Sequence, residues 1–234
     1  FIHSFIQLMS TSELMSKSSS AIHWFRKGLR LHDNPALCQA CAQATTVYPV
    51  FILDPHFSNP EIVGVNRYSF LLQTLRDLDE SLKNVGSRLY LFRGNPKNIF
   101  PILFDQWNIN ILTYEKDTEP YAITRDLNIQ EIAKNQNVEV DVHSSHTLHD
   151  MDSYKPITGT NHKTTYAAFV SFFETLDIPD VPLESPSEVK YAFVCVCVSS
   201  LSVCYLIMNV IDLSHQELYF ICLAILVDLS CCSS

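Results

Sequence analysis

Three cations, Arg26, Lys27 and Arg30, follow directly on a short apolar run, Ile22 to Phe25. The run reads as a buried strand. The residues after the cations read as a helix start, with Asp33 or Asn34 able to cap it and Pro35 suited to its first turn. A strand, a loop and a helix in that order put the cations near the C-terminal edge of a sheet, where open α/β folds bind ligands. Elsewhere, His143, His146 and His149 stand at three-residue spacing, with Asp150 and Asp152 as hard oxygen ligands nearby. A structural zinc site calls for a fuller set, with thiolates or matched pairs, so no metal site is assigned. Cys38 and Cys41 form Cys-x-x-Cys inside a predicted helix, whereas redox pairs sit at helix N-termini, where the dipole lowers the thiol pKa. They read as packing, as do Trp24 and Trp107. With no GxGxxG and no GxxxxGK[ST], a glycine-rich phosphate cradle is unsupported. No catalytic residue is assigned.

The elements that must position these residues alternate. Apolar stretches predict strands at Ile22–Phe25, Val47–Leu53, Ser87–Phe92, Ile109–Tyr114 and Val138–Val142, each nearly all apolar, as for strands covered on both faces. Helices are expected at Pro35–Ala44, Arg67–Asn84, Pro96–Trp107 and Pro120–Asn135, with a last amphipathic one at Tyr166–Leu176. In the second helix Tyr68, Leu71, Leu72, Leu75, Leu78 and Leu82 recur with helical spacing, so one face is buried. Alternating strands and helices argue βαβ units in a parallel, doubly wound α/β sheet. About 170 residues in this pattern suffice for one hydrophobic core. The prolines at 179, 182 and 186 read as the start of a linker over 179–190.

Acidic residues exceed basic ones by 25 to 16, a formal charge of −9. Nucleic-acid affinity comes mainly from phosphate neutralisation by Lys and Arg, so this chain is not expected to hold DNA by itself. Residues 1–20 read as a flexible lead-in without a signal-peptide pattern, and Met9 or Met15 could be the start. After Lys190 the composition changes: Tyr191 to Ile211 carries no charge, and six of the eight cysteines lie beyond it or within it. By length and hydropathy 191–211 would qualify as a membrane span, but only Lys190 offers an orientation cue. The favoured reading is that 191–234 is non-native, a retained intron or alternative exon, since Val194-Cys195-Val196-Cys197-Val198 is what a repeated TG dinucleotide encodes.

The fifteen residues from His23 to Leu37 resemble the opening of the photolyase/cryptochrome family, closest to its animal (6-4) photolyases. Phe51-Ile52-Leu53-Asp54-Pro55, Val63 to Arg67, Ser87-Arg88-Leu89, Arg93 to Pro96, Tyr114 to Asp126, Ser145 to Leu148 and Thr165-Tyr166 fall in the same order. The resemblance runs from about Ala21 to Tyr191. It implies a Rossmann-like five-stranded sheet of order 3-2-1-4-5 over 21–178, without the helical domain that holds FAD and UV-damaged DNA. It also implies an antenna crevice for a deazaflavin or folate at the switch point between strands 1 and 4. An apolar slot with few polar anchors suits such a dye, and Phe25, Arg26, Phe51, Asp54 and Asp117 could supply it. The same charges can instead pair with each other or cap helices. The function implied is that of a fragment of a blue-light flavoprotein whose parent repairs UV-damaged DNA, a lyase reaction, with the fragment inactive alone. The alternatives are a light-signalling cryptochrome fragment, or a short isoform that binds partners. The implied location is nuclear or cytoplasmic.

Overall fold

The computed structural model describes residues 19–58, 63–150, 152 and 165–191. Most of the lead-in, the 191–211 segment beyond Tyr191 and the remaining tail cysteines lie outside these residues. Strands β1 (Ser20–Phe25), β2 (Thr46–Leu53), β3 (Tyr90–Arg93), β4 (Ile111–Glu115) and β5 (Glu139–His143) form one sheet. Its order is β3-β2-β1-β4-β5 with every pairing parallel, as the resemblance implied. Helices α1 (Pro35–Gln43), α2 (Pro55–Ser58), α3 (Val65–Asn84), α4 (Pro96–Gln106), α5 (Pro120–Asn135) and α6 (Tyr166–Phe173) complete the described elements. None of them is long and apolar enough to cross a membrane.

Alternation of side chains along each strand splits the core into two layers. Phe25, Phe51, Leu53 and Leu91 meet Leu37 of α1 and Leu75, Leu78 and Leu82 of α3. Trp24, Tyr48, Tyr90 and Tyr114 face the other way, onto Ile99, Phe100 and Leu103 of α4 and Ile129 of α5. Trp107 belongs to that second layer, stacked on Tyr48 at 4.5 Å.

Strands β3, β4 and β5 begin one to three residues later than the apolar pattern predicts, for one shared reason. Gly86, Asn108 and Asn137 take left-handed backbones after α3, α4 and α5. The residues that follow, Ser87, Ile109 and Val138, donate back to Leu82, Phe104 and Ala133. This is the Schellman closure of a helix, so apolar residues that look like strand are helix caps. β5 also departs from the expectation of an all-apolar strand: Glu139 and Val142 are exposed, because β5 is the sheet edge. α6 is not the amphipathic helix expected, since none of its side chains is buried. Its contacts are lateral, Phe169 with Phe173 and Phe173 with His149.

Candidate functional site

The chain leaves β1 towards β2 and leaves β4 towards β5, so the loops after β1 and β4 diverge and open a crevice. The crevice is a cavity of about 520 Å³ between the C-terminal ends of β1 and β2, α2 and the start of α3. Phe25, Arg26, Phe51, Asp54 and Asp117, the five residues singled out in the sequence, all line it.

Their charged groups are held by the protein itself. The Arg26 guanidinium donates through Nη1 to both oxygens of Asp126, at 2.7 and 2.6 Å. It lies 4.6 Å from the Tyr114 ring and 5.0 Å from Trp24. Burial pulls the Arg26 pKa down, and Asp126 pulls the other way. Arg125 donates to the same Asp126 at 3.1 and 3.2 Å and sits 3.9 Å from Asp54. Its guanidinium is 4.7 Å from the Trp24 ring. Asp54 accepts the Tyr121 hydroxyl at 2.9 Å and the His56 N–H at 3.0 Å, which caps α2. Burial and the hydrogen bond to Asp54 push the Tyr121 pKa up to about 12. His56 stacks flat on Tyr121, 3.6 Å between ring centres.

On the β4 side, Lys27 donates to Asp117 at 3.0 Å and Glu119 at 2.8 Å. Burial opposes the charge on Lys27, but the two carboxylates outweigh it and raise its pKa. Burial likewise opposes the Asp117 carboxylate, yet the Glu119 N–H and Lys27 hold its pKa below the usual range. Glu115 is buried at the end of β4 and accepts the Gly28 N–H at 3.1 Å and the Ser145 hydroxyl at 2.5 Å. A side chain on Gly28 would meet that carboxylate and force it to move from its place against the loop. Behind the loop, His23 sits between Thr113 (2.9 Å) and Asn34 (3.3 Å). Burial, and then Arg26 and His143, lower its pKa to about 3, so it is neutral.

An occupant therefore meets an apolar slot of Phe25, Phe51, Leu53, Phe57 and Leu71 over a floor of internally neutralised charge. Its volume suits a planar ring system. Of the histidine cluster, His143 faces Asp141 at 3.1 Å, His149 meets Phe173, and His146 lines a small hollow beside Glu115. Sequence reasoning left out Arg125, Asp126, Tyr121, Phe57 and α2. The signal for the first two lay in α5, where Ala122, Arg125, Asp126, Ile129 and Ala133 share the buried face. Two ionisable residues on an otherwise apolar stripe mark a buried pair.

The family model described as DNA photolyase matches residues 21–187. Cryptochrome-1 of Macaca fascicularis is 45% identical over 166 residues, covering 71% of this chain and 28% of that protein. Cryptochrome-2 of Gallus gallus is 43% identical over 165 residues, with 70% and 28% covered. The chain thus spans little more than a quarter of these relatives. The class III photolyase of Agrobacterium tumefaciens superposes with a TM-score of 0.66 at 26% identity, over 76% of this chain and 36% of that one. A Sulfolobus tokodaii photolyase, whose structure holds two FAD molecules and implies a novel light-harvesting cofactor, gives 0.60 at 24% identity, over 74% and 38%, and bears on fold alone. The fold, the cleft and a family match over most of the chain agree: this chain belongs to the DNA photolyase family and has the fold of its N-terminal α/β domain.

Proposed function

We propose that this chain is the antenna-type α/β domain of a (6-4) photolyase/cryptochrome flavoprotein, and that it has no repair activity by itself. The observation that carries the reading is the apolar cleft at the switch point, walled by Phe25, Phe51 and Phe57 over paired charges. A deazaflavin or folate bound there would supply light absorption for the flavin of the parent protein. Phe25 and Phe51 would border its ring. Arg26 and Asp54 would act at one remove, because their charges are spent on Asp126, Arg125 and Tyr121. Lys27, Asp117 and Glu119 form the polar rim.

Light-driven repair of UV-damaged DNA belongs to the further length that relatives possess. Two features support inactivity of this chain: its formal charge is −9, and Arg26, Lys27 and Arg125 of the cleft are paired with carboxylates. Residues 21–178 form the domain, 179–190 lead out of it, and 191–234 are non-native sequence. The parent acts in the nucleus or cytoplasm.

The test is titration of the purified 234-residue chain with a deazaflavin and with a reduced folate, followed by fluorescence anisotropy. The expected result is saturable binding of one of them, lost in Thr74→Trp, which fills the cleft from α3. Binding that survives Thr74→Trp, or no binding of either dye, overturns the antenna reading. Repair of UV-irradiated DNA by this chain under blue light overturns the reading of inactivity.

A further inference from the structure

We infer that residues 183–190 are a strap coupling the cationic wall of the cleft to the opposite edge of the sheet, whatever occupies the cleft. At the upper end, Asp33 donates its N–H to the Leu183 carbonyl at 2.7 Å, and Leu183 returns its N–H to the Asp33 carboxylate at 3.3 Å. Asp33 sits in a left-handed backbone, φ 49°. That conformation is costly outside glycine and persists only where its surroundings enforce it. Its carbonyl accepts two N–H groups of Arg30, at 2.9 and 3.3 Å, and Arg30 reaches on to the Ser145 carbonyl at 3.1 Å. Lys27, Gly28, Leu29 and Arg30, the wall itself, thus lie between two fastenings: Glu115 on Gly28, and the strap on Asp33.

From Leu183 the strap runs beside α1, where the Cys38 thiol meets the Glu184 carbonyl at 3.8 Å. It ends at the N-terminal edge of the sheet. There Val189 is fully buried among Ala21, Ala40, Val47 and Ile111. The Val189 N–H donates to Val85 at 2.9 Å, and the Lys190 carbonyl accepts from Val47 at 2.7 Å. Residues 184, 185, 187 and 188 between these anchors are exposed. A segment held at two points with little buried between them opens locally at small cost. Freeing its lower anchor then removes the constraint on Asp33 at the other end. Release of Val189 thereby reaches the cleft, and by linkage a cleft occupant stiffens the strap.

The test is amide hydrogen exchange on the 234-residue chain, comparing wild type with Val189→Ala and Leu183→Pro. Val189→Ala loosens the lower anchor, remote from the cleft; Leu183→Pro deletes the upper N–H at an exposed position. The expected result is exchange at Asp33 and Gly28 faster by about fivefold or more in both variants, with Leu91 in β3 and Val140 in β5 unchanged. Faster exchange at Val189 in Val189→Ala with Asp33 and Gly28 at wild-type rates overturns the coupling. Equal acceleration of the Leu91 and Val140 amides in both variants overturns it too, since the strap would then be ordinary core.

Discussion

Arg26 and Asp126 look like a symmetric ion pair, yet truncating them should have very unequal effects. The Arg26 side chain is 6% exposed and that of Asp126 11%, so neither charge can turn to water. Asp126→Leu leaves the Arg26 guanidinium buried with no carboxylate partner and weakens the hold on Arg125. Removing one member of a buried pair costs about 3–5 kcal/mol. Arg26→Met leaves Asp126 with both Arg125 bonds, at 3.1 and 3.2 Å. It forfeits ring contacts worth about 1–2 kcal/mol, but it also removes a cation whose pKa burial already depresses. It further relieves Nε and Nη2, which are buried without an acceptor. Those terms nearly cancel, so Arg26→Met should lie within about 1 kcal/mol of wild type. For a chain of this length the Asp126→Leu loss corresponds to roughly 6–20 °C in Tm. Urea unfolding followed by circular dichroism measures both. The double variant should recover much of the loss, because its guanidinium is no longer stranded. An Arg26→Met cost equal to or above that of Asp126→Leu refutes the view that Arg125 holds the floor together.

His23 gives a pH signature. Its folded pKa is lowered to about 3, so below about 6.5 only the unfolded chain takes up the proton, and stability falls by up to ~1.4 kcal/mol per pH unit as pH drops towards 3; His23→Gln should flatten that slope in unfolding curves between pH 6.5 and 4.5. Gly28→Ala forces a methyl into the Glu115 carboxylate, and about 1–3 kcal/mol of lost stability is expected, with faster exchange of the loop amides. Asn34→Ala removes the cap on the Leu37 N–H and the partner of His23 Nε2, worth about 1–2 kcal/mol in thermal unfolding. Burial, then Cys38, raises the Cys41 pKa to about 11. Mass-mapped alkylation at pH 7.5 should find Cys41 roughly a hundredfold slower than free cysteine.

The alternation of strands and crossover helices was legible before the structure from periodicity, and the sheet order and the position of the cleft from the family resemblance. What escaped was local. Ser87, Ile109 and Val138 look like strand, and only the left-handed residue before each marks it as a helix closure. α2 is four residues long, too short to show a period, and is announced only by Asp54 before Pro55. The five residues singled out in the sequence do line the cleft, but the partners of their charges were hidden. Arg26 and Asp126 are a hundred residues apart in sequence, and nothing in either segment names the other.

That hidden pairing decides the chemistry of the cleft. Unpaired, Arg26, Lys27 and Arg125 would make a cationic crevice able to seize any phosphate. Paired as they are with Asp126, Asp117, Glu119 and Asp54, they present little net field. Discrimination then falls to shape and to the aromatic walls, because charges already satisfied by partners within the protein offer little to a ligand. The strap enters at this point. A rigid apolar slot admits a planar guest only at a set width, and that width depends on the loop from Lys27 to Arg30, which Glu115 and Leu183 fasten from opposite sides. If the cleft binds a planar dye as proposed, its selectivity would rest on these backbone fastenings more than on any single side chain that points into the cleft.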